Sequence, residues 1–232
     1  MKKSFYVLLT IALVAMLFSC EKEDLPTDPS KNYESVTIGT QVWMIRNLDV
    51  THYRNGDSIP EVRDSATWVN LKTGAWCYYN NDSANGEIYG KLYNWYAVND
   101  TRDLAPAGWH IASDEEWKIM EMYLGMSNID VDRYGQRGTD EGSKLAGIAD
   151  LWSDGVLVKN QNFGSSGFLG LPSGVRYSIG KFSQIGNYGY WWSSSVYTDE
   201  FSWYRNINHA GTNIKRDGFY RQSGSSVRCV RD

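Results

Sequence analysis

Ten Trp and sixteen Tyr are spread through 232 residues, and they sit in short runs cut off by Gly, Asn, Asp and Ser. A chain built this way cannot become a bundle of long helices. Its rings have to be delivered by brief strands joined by tight turns. Val36-Thr37-Ile38 and Gln41-Val42-Trp43-Met44 flank Gly39-Thr40 as a hairpin would. Stretches 75–79, 91–98, 168–171, 174–177, 190–195, 203–207 and 226–230 read as further strands, and His110 lies in another around Trp109 and Ile111. One segment is helical. Ser113 and Glu116 have capping-box spacing, and Asp114, Glu115 and Glu116 place negative charge at the positive end of the dipole. Trp117, Met120, Tyr123 and Leu124 then share a face, and Gly125 stops the helix. A second short helix is expected around 143–146. Short strands, one or two helices and a long antiparallel tail describe an α+β fold with a loop-heavy second half. No composition break follows Glu34 and no period repeats, so 34–232 reads as one domain.

At 42% hydrophobic and 22% charged residues the chain can bury a core. Its net charge of −4 argues against a nucleic-acid partner, which calls for a basic footprint. The sequence carries few marks of catalytic chemistry. No G-x-S-x-G elbow occurs, and Ser193, Ser194 and Ser195 follow two Trp as strand and turn polarity would. His52, His110 and His209 lie far apart, the three Cys form no zinc spacing, and no phosphate-loop pattern is present. The expectation is a non-catalytic protein with no cofactor and no metal site. His110 reads as structural and His209 as a contact residue. What remains is a recognition surface in the tail, where Tyr, Trp, Arg and Asn offer large contact area at low entropic cost. The candidate ligand-binding residues are Tyr197, Tyr204, Asn206, Asn208, His209, Asn213, Arg216, Tyr220 and Arg221, for a glycan or protein ligand. Strand alternation places Trp203, Arg205 and Ile207 on one face and Tyr204, Asn206 and Asn208 on the other. For Phe201 and Trp203 a place in the core is an equal alternative.

The start of the chain supplies an address. Lys2 and Lys3 precede a charge-free, mostly apolar run of fourteen residues from Phe5 to Phe18, too short for a stable span and suited to an export signal. Leu17-Phe18-Ser19-Cys20 resembles the bacterial lipobox, with an unusual Phe18. The resemblance implies a signal peptide over 1–19 and a lipidated Cys20 at the mature N-terminus, where two or three acyl chains form a firm membrane anchor. Glu21-Lys22-Glu23-Asp24 looks like the surface-export signal of Bacteroidetes lipoproteins; a plain solvated linker is the alternative. Residues 20–33 read as a tether with a span of about 20 Å. The expected location is the outer membrane, lipid-anchored and facing outward.

Several ordered segments resemble one family. They are the hairpin at 36–44 with Asn47-Leu48, the run Gly74-Ala75-Trp76-Cys77-Tyr78-Tyr79-Asn80-Asn81-Asp82, and Tyr89-Gly90-Lys91-Leu92-Tyr93-Asn94-Trp95-Tyr96-Ala97-Val98. Ala107-Gly108-Trp109-His110-Ile111, running into Asp114-Glu115-Glu116-Trp117, follows. Gly189-Tyr190-Trp191-Trp192-Ser193-Ser194-Ser195 and Ser226-Val227-Arg228-Cys229-Val230-Arg231 complete the set. Together they are similar to the Fibrobacter succinogenes major paralogous domain of surface lipoproteins. The acidic helix entry ending in Glu-Trp and the final Arg-Cys-Val-Arg strand are also similar to the formylglycine-generating sulfatase-modifying family. Both resemblances imply a C-type lectin-like fold, which pairs the chain termini in a sheet and displays irregular loops as a binding surface. The Cys pair of the sulfatase-modifying enzymes has no counterpart in 174–204, so that oxidase chemistry does not carry over. The calcium-lectin signatures are also missing. The family's Cys before its Pro-x-Gly-Trp segment is Ala105 here, which leaves Cys77 and Cys229 either as a disulfide or as two buried thiols. The tail further resembles the variable region of diversity-generating retroelement targets. Besides ligand binding, the resemblance admits a structural part in a cell-surface assembly such as a fimbrial tip, or an enzyme related to the sulfatase-modifying fold.

Overall fold

The computed structural model describes residues 33–232. The expected signal peptide, Cys20 and nearly all of the expected tether lie outside the described residues. In chain order the strands are β1 (Ser35–Ile38), β2 (Gln41–Met44), β3 (Trp76–Cys77), β4 (Leu92–Tyr93), β5 (Trp109–Ile111) and β6 (Gly135–Arg137). They continue with β7 (Ser173–Arg176), β8 (Phe182–Ile185), β9 (Tyr188–Val196), β10 (Phe201–Asn208), β11 (Ile214–Tyr220) and β12 (Cys229–Arg231). The helices are α1 (Ser65–Val69), α2 (Ser83–Tyr89), α3 (Trp95–Val98), α4 (Asp114–Tyr123), α5 (Glu141–Leu145) and α6 (Val156–Lys159). The strands make two four-stranded antiparallel sheets, ordered β1-β2-β12-β5 and β6-β11-β10-β9, and two small hairpin sheets.

The first sheet joins the ends of the domain. β12 lies between β2 and β5, with Val230 opposite both Trp43 and His110. The hairpin of β1 and β2 turns through Gly39-Thr40 as its sequence suggests. Two residues then latch distant segments together. Arg228 is fully buried with no carboxylate beside it. It donates to Asn47 Oδ1 (2.8 Å) and to the carbonyls of Met44 (2.7 Å), Phe168 (2.6 Å) and Leu169 (2.9 Å), and lies 4.4 Å over the Phe168 ring. Asn47 also accepts from Trp191 Nε1 (2.9 Å) and donates to Tyr89 O (2.9 Å). Arg176 repeats the device, donating to the carbonyls of Val62, Arg63 and Gly180 between the rings of Trp68 and Phe182.

All ten Trp are buried, so tryptophan here belongs to the core. Seven indole N–H groups have acceptors, including Trp95 to Ser193 O (2.9 Å) and Trp192 to Tyr93 O (2.8 Å), as buried Trp requires. Trp43, Trp117, Phe168 and Trp191 pack with ring centroids 5.0–6.4 Å apart at the centre of one cluster.

Helix α4 starts at Ser113, whose side chain accepts from Glu116 N while Glu116 caps Ser113 N in return. It closes at Gly125, whose φ of +117° suits glycine. Its buried face is Asp114, Trp117, Met120 and Glu121, and Tyr123 points outward at 66% exposure. Two other expectations change. The run 91–98 divides into β4 and α3, because Asn94 Oδ1 accepts Ala97 N (3.1 Å) and starts a helix. Residues 168–171 make only a bridge, Gly170 to Ala146. Cys77 and Cys229 are free thiols and form no disulfide: β3 and β12 lie in different sheets and their side chains pack in different clusters. Burial pushes both thiols up to about 12.

Candidate functional site

Strand β10 explains the fate of the tail residues. It runs between β9 and β11, and both of its faces are covered over most of its length. One face carries Tyr204, which packs with Tyr190 (5.9 Å) and Phe219 (4.9 Å). Asn206, on the same face, donates to Gly189 O (3.1 Å), and Asn208 Oδ1 accepts Ala210 N (3.0 Å) to shape the turn after the strand. Tyr204, Asn206 and Asn208 are therefore interior residues, and the expectation that they contact a ligand is corrected. His209 is half-buried, its backbone N–H tied to Asn187 O (3.0 Å) and its Nδ1 buried without a partner. Asn213 is half-buried in the next turn.

On the opposite face Trp203, Arg205 and Ile207 are buried and Phe201 is half-buried. Under α4 lies a buried ion network. Asp114 accepts from Arg205 Nη1 (2.7 Å) and from Arg216 Nε and Nη2 (2.9 and 2.6 Å). Glu121 accepts from Arg205 Nε (2.6 Å) and Arg137 Nη2 (2.8 Å). Arg216 is thus buried and engaged, a second correction to the expected contact set. Burial acts to raise the Asp114 carboxyl, but Arg216 and Arg205 outweigh it and hold it below its ordinary value. Burial lowers the Arg137 guanidinium.

Next to the first turn of α4, where Asp114 holds Arg216 beneath Trp203, the same face carries a row of rings. Phe201 stands opposite Tyr220, and Trp203 opposite Gly218. Phe201 and Tyr220 lie 4.4 Å apart. From the loop between β9 and β10, Tyr197 folds back over Gly218 onto Trp203 at 4.4 Å. Tyr134, just before β6, closes the row at 5.4 Å from Trp203 and 5.8 Å from Tyr197. Tyr134, Tyr197 and Tyr220 are 58%, 37% and 46% exposed, whereas Trp203 is pressed against Arg216, 3.6 Å beneath its ring. Arg221 borders the row, donating to Thr198 O (2.7 Å) and Ser202 Oγ (3.3 Å) and lying 4.6 Å over Trp95. Of the expected contacts, Tyr197 and Tyr220 stand in this strip, whereas the Arg221 side chain turns toward Ser202 and Trp95. Tyr134 was missed by sequence reasoning: it is 63 positions from Tyr197, and only the pairing of β6 with β11 brings it there.

Residues 36–231 match the family model of the Fibrobacter succinogenes major domain. The chain belongs to that family. No curated relative and no solved structure matches it. The segments by which the Fibrobacter succinogenes major domain is recognised here are architectural. Asn47, Trp95, Trp109, Trp117, Trp191, Trp192 and Arg228 are all buried, and none reaches the strip. Of the three serines after Trp192, Ser193 is sealed and Ser195 Oγ accepts Asp114 N (3.0 Å) at the start of α4.

Away from the strip, a cavity of about 300 Å³ is lined by His110, Ser113, Glu116, Ser194, Arg54 and Asp232. His110 bridges Glu116 (2.5 Å) and Asp232 (2.8 Å), so both ring nitrogens are taken by carboxylates, and Ser113 Oγ donates to Glu116 (2.7 Å) instead of to the imidazole. No serine–histidine nucleophile is assembled there. Among the described residues no group of three His, Cys, Asp or Glu is placed to hold a metal ion, and no helix is long and apolar enough to cross a membrane.

Proposed function

We propose that residues 34–232 act as a non-catalytic ligand-binding module of C-type lectin-like architecture, carried on an outer-membrane lipoprotein anchored through Cys20 and facing outward. The strip of Tyr134, Tyr197, Phe201 and Tyr220 is the contact surface for a glycan or protein ligand. The observation that carries this reading is a row of part-exposed rings, Tyr134, Tyr197 and Tyr220, at one end of the sheet, where solvent-facing positions ordinarily carry polar side chains. The pairing of β12 with β2 and β5 supports the lectin-like reading of the fold.

Surface protease treatment of intact cells, followed by a ligand screen with the full chain, tests address and role in turn. Cleavage of the domain on unbroken cells and saturable binding weakened by Tyr134→Ala are the expected results. Protection from protease argues against surface display. Stoichiometric co-purifying subunits with no free-ligand affinity point to a structural part in a surface assembly.

A further inference from the structure

The size, charge and stiffness of the strip narrow the class of ligand. A tyrosine side chain has about 150–250 Å² to bury, so the three part-exposed Tyr offer roughly 300 Å² between them. A stable protein interface takes about 800 Å² from each partner. The strip therefore suits a small or narrow ligand better than a second copy of this chain or a folded partner.

Its charges are already engaged. Arg216 is held by Asp114 and by Asp132 O (3.0 Å), Arg221 by Thr198 O and Ser202 Oγ, and Lys215 by Asp217 (3.1 Å). Arg133, exposed beside Tyr134, is paired with Asp130 (2.7 Å), and Asp199 and Glu200, exposed in the loop that carries Tyr197, repel an anion. A cation over Trp203 would meet the Arg216 guanidinium 3.6 Å below the ring.

The rings are also fixed in place. A Cβ at Gly218 would overlap the Tyr197 ring, so the absence of a side chain there lets Tyr197 lie flat across the sheet. A pre-positioned surface loses little freedom on binding. Flat apolar faces edged by phenol hydroxyls match a pyranose, which has an apolar C–H face and a rim of hydroxyls. The exposed rings of Tyr134 and Tyr197 lie 5.8 Å apart, a spacing on the scale of one sugar unit.

We infer that the strip takes a neutral glycan chain, stacked on Tyr134, Tyr197 and Tyr220 without a metal ion between sugar and protein. This rests on the binding-module reading and specifies its ligand class.

The test uses the full chain with soluble xylan, mannan and β-glucan as neutral probes, polygalacturonate as the anionic probe, and immobilised collagen and fibrinogen as protein probes. Binding is read by calorimetry and tryptophan fluorescence, with and without EDTA. The expected result is saturable binding of at least one neutral glycan, unchanged by EDTA. It should weaken tenfold or more in Tyr134→Ala and Tyr197→Ala, and remain intact in Tyr123→Ala, whose ring is exposed on α4 away from the strip. Circular dichroism confirms that each variant is folded. A preference for polygalacturonate, loss of binding in EDTA, or neutral binding that survives the Tyr134→Ala/Tyr197→Ala double variant overturns the inference. Binding of a protein probe alone, abolished by the double variant, overturns the glycan assignment and leaves the module reading standing. Binding of no probe counts against both.

Discussion

Arg228 shows how much a single side chain can organise. Burial pushes its guanidinium down to about 9, so it stays charged at neutral pH, and its N–H groups reach three carbonyls and Asn47. Replacing it with Met leaves those acceptors buried and unpaired, at about 1–3 kcal/mol each. Arg228→Met is expected to lower the urea midpoint by the equivalent of at least ~3 kcal/mol, or to abolish folding, and Arg228→Lys to recover only part of the loss. His110 provides a pH test. Burial opposes its charged form, yet the hydrogen bonds to Glu116 and Asp232 outweigh it and raise its pKa above the ordinary 6.5. A raised folded value means that the stabilisation is fully present below about pH 6.5 and fades as pH climbs through the folded pKa. NMR titration should find the His110 resonance titrating above 6.5, and melting curves should show a stability loss over that range that His110→Gln removes. A normal His110 pKa would contradict the bridge.

At the scale of elements, β10 and β11 owe their position to what α4 lays over them. Asp114 at the first turn of α4 ties down Arg205 and Arg216, and Arg216 supports Trp203. Removing one partner of a buried ion network costs about 3–5 kcal/mol. Asp114→Asn should lose that much in chemical denaturation and shift the fluorescence of Trp203. Because the Asp114 carboxyl is held below its ordinary value, its contribution is present above about pH 4 and disappears as pH falls through the depressed pKa. The variant should accordingly unfold with a shallower dependence on acid. Gly218→Val leaves the ladder of β10 and β11 in place but displaces Tyr197 from its bed. It should reduce ligand binding by more than it reduces stability, measured on one sample by titration and thermal melting. The sequence was a good guide where an element carries its own signal. The capping box of α4, the β1–β2 hairpin and the alternation of β10 are all local patterns. Asn94 defeats such reading, because an aromatic run reads as strand until one side chain turns back to cap a helix.

For the whole molecule, the domain is closed by β12, which brings the last residues between two strands from its first half. Cys77 and Cys229 end in separate parts of that structure, both buried and both with raised pKa values. A thiol reagent should label neither in the folded protein and both after denaturation, and a reductant should leave the melting temperature of the domain unchanged. Rapid labelling under native conditions would contradict the packing of both cysteines.

Ring density, turn residues and caps specify that the chain makes short strands around one well-capped helix, because those preferences act over a few neighbouring residues. They also single out Tyr197 and Tyr220, which stand part-exposed in the strip. They could not say which of two alternating strand faces meets solvent. On β10 nearly every position alternates between two interiors, so Tyr204, Asn206 and Asn208 are sealed despite looking suited to recognition. Exposure depends on where α4 and β6 join the sheet, and both are set by contacts between residues tens of positions apart. Only the assembled fold could leave rings part-exposed at one end of that face and bring Tyr134 to complete the row.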